Sequence, residues 1–503
     1  MWFLFPLYKA YMDDQLLTQL AGWNPWWSRG KGGVDVYRDP EYTREAFEEI
    51  AEKFLAGDQI VSIVGMRQVG KSTMMRQIIR RLLEEGVDAR RILYVSFDDP
   101  FLRTHYGSKN LFENVILSYA EGVLHNDLRT AGEPLYFFFD EVHQLSDWER
   151  AMNSYYDRKY PIHYIVTGSS SIHLQQKHRE SLLGRIAEYT LWPFSFREFA
   201  EFRLLQESAT SRKRGISCIR DARRIREAFL KEYSLKNVFS ASNDIFREMH
   251  PHEKQRFSQY LRMFIVEGGF PRVWQQNDLA SKHRMLWEQY VGKTLFEDLL
   301  HTTRIRRVKD LEFLFVRLLG FNGSEAKLTD IQRDMKMSYL TLDRYLRLFL
   351  QTFLLFRVDK TKSKRMALKR RSGKVKFYVT EPALRNALYK KDESVLDDPE
   401  EMSIIAETLV CSAIERWDRI APGIERVSYY RERNNEVDFV FKNAANTLPI
   451  EVKWRKDIKN LKSLDALVSK WNISESLVVT KDFEMTYENG RLSVPLWFFL
   501  LVF

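Results

Sequence analysis

Residues 65–72 read Gly65-Met66-Arg67-Gln68-Val69-Gly70-Lys71-Ser72, two glycines five apart followed at once by a lysine and a hydroxyl. This stretch decides the fold of the first third of the chain. A β-rich run, 60–64, precedes it and a helical pattern over 73–83 follows, so backbone N–H groups and a helix N-terminus converge on an anionic phosphate. The run Gly65, Met66, Arg67, Gln68, Val69, Gly70, Lys71, Ser72 and Thr73 is the expected ATP-binding loop. In it the glycines let the backbone bend close, Lys71 reaches the β- and γ-phosphates and Ser72 ligates Mg2+. By composition such a spacing arises by chance on the order of once in fifty chains of this length, so its place between strand and helix carries the assignment.

Working outward, residues 135–142 read LYFFFDEV, an apolar run ending in two carboxylates, as a buried central strand that delivers acids to its C-terminal edge would. Asp140 is expected to hold magnesium through water and Glu141 to orient the attacking water. Runs at 60–64, 92–97, 135–139 and 162–167 alternate with helical stretches, which predicts a parallel sheet with helices on both faces. The polar tip 167–171 follows the last of these runs, and Ser169 or Ser170 is the expected γ-phosphate sensor, a plain turn being the alternative. Arg185, in SLLGR at 181–185, is a candidate arginine finger; acting in trans it would require a homo-oligomer, and the alternative is a surface arginine.

The chain is 503 residues long, too long for one core. An excess of 78 Lys and Arg over 68 Asp and Glu favours a polyanionic partner such as nucleic acid. Cys218 and Cys411 have no cysteine or histidine at metal-ligand spacing, which indicates neither a disulfide framework nor a zinc site and fits a reducing cytoplasm. The apolar stretches 1–8 and 494–503 are shorter than a bilayer span, so no membrane segment is expected. The second reads as a final buried strand entered at Pro495. Residues 194–300 read as helical, with a basic, loop-prone patch at 211–214 and a tight turn at 268–271.

Further on, 328–335 and 339–349 read as two helices joined by a turn, with Leu342, Tyr345, Leu346 and Phe349 inward and Thr341, Arg344 and Arg347 outward, a helix-turn-helix pattern. Nine Lys or Arg and no acid lie between 360 and 376, bracketed by strand-like runs, as the basic wing of a winged helix would; a packing or protein-docking module is the alternative. Residues 436–441 and 448–454 read as a β-hairpin whose alternation puts Glu451 and Lys453 on one face with Asp438 opposite. Glu407 lies on a helix among apolar Ile404, Val410, Cys411 and Ile414, a place where a carboxylate wants a metal, a cation or a shared proton. Glu407, Asp438, Glu451 and Lys453 together match the PD-(D/E)xK nuclease pattern. The acids Glu407, Asp438 and Glu451 would gather Mg2+ and Lys453 would activate water or steady developing charge, the alternative being a structural relic.

These motifs resemble a family of archaeal and bacterial AAA-like ATPases whose C-terminal part is related to restriction endonucleases. The matching stretches are NPWW at 24–27, GMRQVGKST at 65–73, FFDEVHQL at 138–145 with Trp148, TGSSS at 167–171, SLLGR at 181–185 and PFSFREF at 193–199. GGFP at 268–271, EVDFVF at 436–441 and IEVKW at 450–454 complete it, so the likeness covers most of the chain, with 205–260 longer than usual. The resemblance implies ATP hydrolysis, nucleic-acid-associated work and a nuclease-like tail. The expected fold class is α/β: a lead-in (1–40), a P-loop ATPase core with a parallel sheet (41–200), a helical lid or connector (201–300), a winged helix-turn-helix (301–390) and a small restriction-endonuclease-like domain (391–503). The expected function is an ATPase coupled to DNA binding and metal-dependent cleavage, the alternative being a signalling switch ATPase with a non-cleaving tail.

Overall fold

The computed structural model describes residues 4–106, 111–130, 132–145, 148–168, 184–298, 308–365, 373–417, 427–443, 446–454, 461–481 and 484–503. They form two compact units, Met1–Trp192 and Pro193–Phe503. In the first, strand β1 (Ile60–Val64) leads through the glycine loop into helix α1 (Lys71–Glu84), followed by β2 (Ile92–Ser96), β3 (Leu135–Asp140), β4 (Ile162–Gly168) and β5 (Ile186–Thr190). All described pairings are parallel, in the order β2-β3-β4-β1-β5.

The run of three phenylalanines on β3 shows why a sheet covered on both faces reads as continuously apolar. Phe137 and Phe139 point one way, onto Tyr119 (5.4 Å between centroids) and Phe112 (5.2 Å) of the helix Leu111–Tyr119. Phe138 points the other way, onto Phe54 of the helix Phe47–Ala56 at 4.9 Å. The open edge at β2 is closed by the lead-in. Asn24 pairs with Tyr94 as a strand would, its Nδ2 donating to the Tyr94 carbonyl (2.8 Å) and its Oδ1 accepting the Tyr94 N–H (2.7 Å). Trp26 and Trp27 both donate their indole N–H to the Ile92 carbonyl, at 3.1 and 2.8 Å. A strand edge capped by side chains leaves no free ladder for another chain.

The second unit opens with the helices Phe196–Leu205, Ala209–Glu232, Leu235–Glu248 and Pro251–Glu267. PFSFREF and GGFP explain each other here. Phe194 N–H donates to the Gly269 carbonyl at 2.8 Å, and a Cβ on Gly269 would sit 2.3 Å from the Phe194 oxygen, so only glycine fits. Arg197 is buried and donates to the Leu501 and Val502 carbonyls, tying down the last helix. The basic patch at 211–214 is helical rather than a loop. Lys and Arg are good helix formers, and the glycine that follows, Gly215, leaves room for Leu204, whose Cδ2 would lie 2.5 Å from a Cβ added there.

The chain then forms α2 (Val308–Gly320), β6 (Glu325–Lys327), α3 (Leu328–Asp334), α4 (Tyr339–Gln351), and the antiparallel pair β7 (Leu355–Thr361) and β8 (Lys374–Val379). Next come α5 (Pro399–Ile414), β9 (Val427–Glu432), β10 (Asn435–Lys442), β11 (Thr447–Lys453), β12 (Ser476–Thr480), β13 (Thr486–Glu488), β14 (Arg491–Pro495) and α6 (Leu496–Val502). One sheet, ordered β13-β14-β12-β11-β10-β9-β7-β8-β6, runs through all of it, because β7 pairs in parallel with β9. The sheet therefore crosses the boundary expected at 390/391.

The terminal stretch also departs from its reading. Strand β14 ends at Pro495, and the run beyond it is helix α6, buried throughout. A short, wholly apolar run carries no period that separates strand from buried helix, and proline lacks the N–H that a helix N-cap leaves unused.

Candidate functional site

The parallel registers put the ends of β1, β3 and β4 side by side, with Val64 opposite Gly168 and Phe139 opposite Val166. The loop leaves β1 at this edge. Gly65 has φ 155° and passes so close to β5 that a Cβ would lie 2.2 Å from the Leu191 oxygen; Gly70 has φ 105° and Gln68 φ 59°. Glycine is needed at 65 for space and at 70 for its backbone angle. Lys71 is buried, and its ammonium donates to the carbonyls of Gly65 (3.1 Å) and Met66 (3.0 Å). Its Nζ is 4.0 Å from Oε1 of Glu141.

Asp140 ends β3 fully enclosed. Tyr94 donates its hydroxyl to Oδ2 at 2.9 Å and Thr167 donates its hydroxyl to Oδ1. Burial first, and the Glu141 charge next, push the Asp140 carboxyl above the usual carboxylate range, against hydrogen bonds from Ser72, Thr167 and Tyr94. Glu141 has φ 53°, a left-handed angle uncommon for a residue with a side chain and one that gathers at functional sites. Its N–H donates to Thr167 Oγ1 at 3.0 Å, and its carboxylate meets His143 Nδ1 at 3.1 Å. The loop lysine, Ser72, the enclosed aspartate and the strained glutamate thus share one sheet edge. Ser72 and Asp140 are adjacent oxygen donors of the kind Mg2+ takes.

Ser169 and Ser170 lie outside the described residues. The hydroxyl that meets both carboxylate residues is Thr167, two positions before the first of the expected sensor pair. Arg185 lies at the opposite end of the sheet: Ile60 N–H donates to its carbonyl at 2.8 Å where β1 begins, and its guanidinium pairs with Asp157 at 2.9 Å. The length of β1 separates it from the phosphate loop of its own chain.

Two further supports carry no signal of their role in the sequence. Arg44, buried, donates to the Val69 carbonyl of the loop and to the Trp192 carbonyl, both at 2.9 Å. Tyr94 links the Asn24 clamp to Asp140. NPWW stands out in composition, but Arg44 is a lone arginine.

In the second unit the hairpin forms as expected, and one step beyond the pair Phe439–Ile450 sets Asp438 opposite Glu451. The register between β9 and β10 shifts between Val437 and Val440, a bulge beside Asp438 of the kind that re-aims a side chain. Asp438 Oδ2 accepts the Val452 N–H at 2.9 Å, Glu451 Oε2 accepts the Asp438 N–H at 3.4 Å, and Lys453 pairs with Glu451. From α5, Glu407 accepts the Tyr378 hydroxyl at 3.1 Å. Burial first and the Asp438 charge second push both Glu407 and Glu451 up to about 8.

Asp438, Glu451 and Lys453 therefore meet on the hairpin, Glu407 feels the Asp438 charge from α5, and β8 adds Lys376, ion-paired with Glu436 at 2.7 Å. The donors suit a hard divalent ion in kind. Among the described residues, however, no three acidic, histidine or cysteine side chains form a group that could hold a metal, and lysines, backbone N–H groups and a tyrosine engage these carboxylates.

On α4, Arg344 and Arg347 are exposed, Leu342, Tyr345, Leu346 and Phe349 are buried, and Ser338 Oγ caps the helix by accepting the Thr341 N–H at 3.1 Å. The basic run at 360–376 is not all solvated. Lys376 is buried and Lys374 pairs with Glu325 at 2.7 Å, while Lys369, Arg370 and Arg371 lie outside the described residues. No described helix is long and apolar enough to cross a membrane.

With the loop, Asp140 and Glu141 at one edge of a parallel sheet, similarity to known proteins can be set beside the geometry. Residues 57–200 match the AAA domain family. This segment is an AAA-type P-loop ATPase core. Residues 258–395 and 403–499 match two domains of unknown function, DUF8612 and DUF4143.

An uncharacterized protein of Methanocaldococcus jannaschii is 23% identical over 392 residues, covering 77% of this chain and 73% of the relative. One of Haemophilus influenzae is 20% identical over 453 residues, covering 89% and 96%. Among solved structures, the Walker-type ATPase of Pyrococcus abyssi aligns with a TM-score of 0.41 at 16% identity, over 69% of this chain and 96% of that one. The ADP form of the ORC2 protein of Aeropyrum pernix aligns with a TM-score of 0.31 at 11% identity, over 74% and 96%.

Proposed function

We propose that this chain binds ATP with Mg2+ in the 65–73 loop, hydrolyses it through Glu141, and couples turnover to nucleic acid, DNA above all, which its second unit binds and cuts. Convergence of Glu407, Asp438, Glu451 and Lys453 on one pocket carries the nuclease half of this reading. In the first unit, Lys71 offers its buried ammonium to the β- and γ-phosphates, Ser72 and Asp140 hold the magnesium, and the left-handed backbone at Glu141 aims its carboxylate at the water. Arg185, at the end of the sheet away from the loop, serves a neighbouring copy's nucleotide, so the ATPase works as a homo-oligomer. Its place of action is the cytoplasm.

In the second unit, the exposed Arg344 and Arg347 and the 369–371 cluster contact phosphates. Asp438 and Glu451 hold each other's strands in register, and Lys453 stands beside Glu451 to orient water or steady a developing negative charge.

Labelled single- and double-stranded DNA and RNA, incubated with the full chain and Mg2+ or Mn2+ with and without ATP, test this reading. Cleavage by wild type that is lost in Asp438→Ala and Lys453→Ala is the expected result; no cleavage under any condition overturns the nuclease half. A second reading is favoured by the lysines already engaging the pocket: a switch ATPase whose tail binds without cutting. Nucleotide-controlled assembly in the absence of cleavage would select it.

A further inference from the structure

A basic wing would leave Lys376 among its solvated cations, yet this residue is 2% exposed. It stands two residues before Tyr378 on β8, and the pleat puts both side chains on one face of the sheet. Tyr378 reaches Glu407 of α5, and the Lys376 ammonium pairs with Glu436, which shares a face of β10 with Asp438. Tyr429 of β9 lies beneath the ammonium, its centroid 5.4 Å away. Lys376 thus lies between the helix carboxylate and the strand carboxylates. Burial lowers the pKa of its ammonium, but the charges of Glu407, Asp438 and Glu436 outweigh burial and raise it.

We propose that Lys376 is the resident cation of the carboxylate pocket: its ammonium supplies positive charge where a divalent ion would act, so a metal enters only in competition with it. This rests on the reading of the pocket as a nuclease-like, cation-binding site. Four carboxylates, Glu407, Glu436, Asp438 and Glu451, face Lys376 and Lys453, and the exposed Arg431 also pairs with Glu436 at 3.2 Å. The buried Lys376 ammonium, 2.7 Å from Glu436, is screened little by solvent, so its charge acts strongly on the carboxylates beside it. Withdrawing one lysine charge leaves the pocket more negative and raises its affinity for a divalent cation, whereas a lysine that only fills space would leave that affinity unchanged or, once removed, lower it. Lys376 is therefore a positioning residue, set on the strand that also carries the C-terminal end of the basic run.

The test is a nucleotide-free Mn2+ titration of the full chain by electron paramagnetic resonance, counting only the binding removed by Asp438→Asn. Lys376→Gln, which keeps a hydrogen-bond donor for Glu436, should bind Mn2+ about tenfold more tightly than wild type, and Lys376→Arg should bind like wild type. Unchanged or weaker Asp438-dependent binding in Lys376→Gln overturns the proposal, as does the absence of such binding from wild type and variant alike. Should Lys376→Gln fail to fold, amine-reactive labelling of wild type asks the same question: Mn2+ saturation should raise labelling of Lys376 several-fold, and unchanged labelling overturns the idea. The two readings separate cleanly. A variant that gains Mn2+ affinity in a protein that never cleaves nucleic acid leaves the resident cation standing without the nuclease; cleavage with no gain in affinity does the reverse.

Discussion

Individual side chains at the two sites carry opposite electrostatic tasks. Lys71 is a buried cation held by two carbonyls, and an ATP phosphate is the anion that its position suits. Lys71→Ala should abolish tight ATP binding in an equilibrium titration, while Glu141→Gln should bind ATP as wild type does and lose at least about 100-fold in turnover, within the range of general acid–base catalysis; equal turnover would remove the role from Glu141. Glu407 presents the reverse problem. Its carboxyl is pushed from 4.5 up to about 8 by burial and by Asp438, so the folded chain binds more protons than the unfolded one between those values. The resulting contribution to stability is whole below about pH 4.5 and is lost as pH rises through 8. In metal-free buffer, Glu407→Gln should therefore match wild type at low pH and exceed it above pH 8 by on the order of 2 kcal/mol, read from denaturant midpoints at each pH.

Among the elements, the edge strand β2 depends most visibly on a segment outside the sheet. Asn24 replaces a missing neighbouring strand by pairing with both backbone groups of Tyr94, and Tyr94 in turn holds Asp140. Asn24→Ala would leave a buried N–H and a buried carbonyl unpaired, which costs about 2–3 kcal/mol. A lower unfolding midpoint for the first unit, together with a reduced ATPase rate, is the expected outcome; a loss of stability with full activity would confine Asn24 to structure. The basic segment between β7 and β8 offers a second element-level test. Replacing Lys369, Arg370 and Arg371 by Ala should weaken binding to every nucleic-acid sequence and flatten the salt dependence by up to about one log-log unit for each phosphate that is no longer neutralised. An unchanged salt slope would leave this segment a packing element.

For the whole molecule the decisive question is whether one chain completes its own ATPase site. Arg185 immediately precedes β5, at the end of the sheet away from the phosphate loop, so an arginine-finger role would require an interface between copies. Arg185→Ala and Lys71→Ala should each be inactive alone, and mixing them should recover part of the turnover, because one of the mixed interfaces pairs an intact loop with an intact arginine. Sedimentation analysis with ATP should show an assembly larger than one chain. A strictly monomeric protein with full activity would end this assignment.

The local chemistry of the first unit is legible in its residues alone. Glycines at 65 and 70, the lysine and hydroxyl after them and the apolar run into Asp140 and Glu141 are dictated by backbone angles, burial and charge that only those residue types satisfy, and such constraints act over a few neighbouring positions. The alternation of Asp438, Glu451 and Lys453 along a hairpin was legible for the same reason, since a strand repeats every two residues. What joins distant segments emerges only on folding. Folding set Thr167 on the carboxylates, put Arg44 behind the loop, turned the apolar end of the chain into a helix, and ran one sheet from β6 to β13. It also carried Lys376 out of a basic run and into an acidic pocket. A side chain's charge is written in the sequence, but the field it meets is summed over groups brought near by folding, and in this pocket those groups come from β8, β10, β11 and α5.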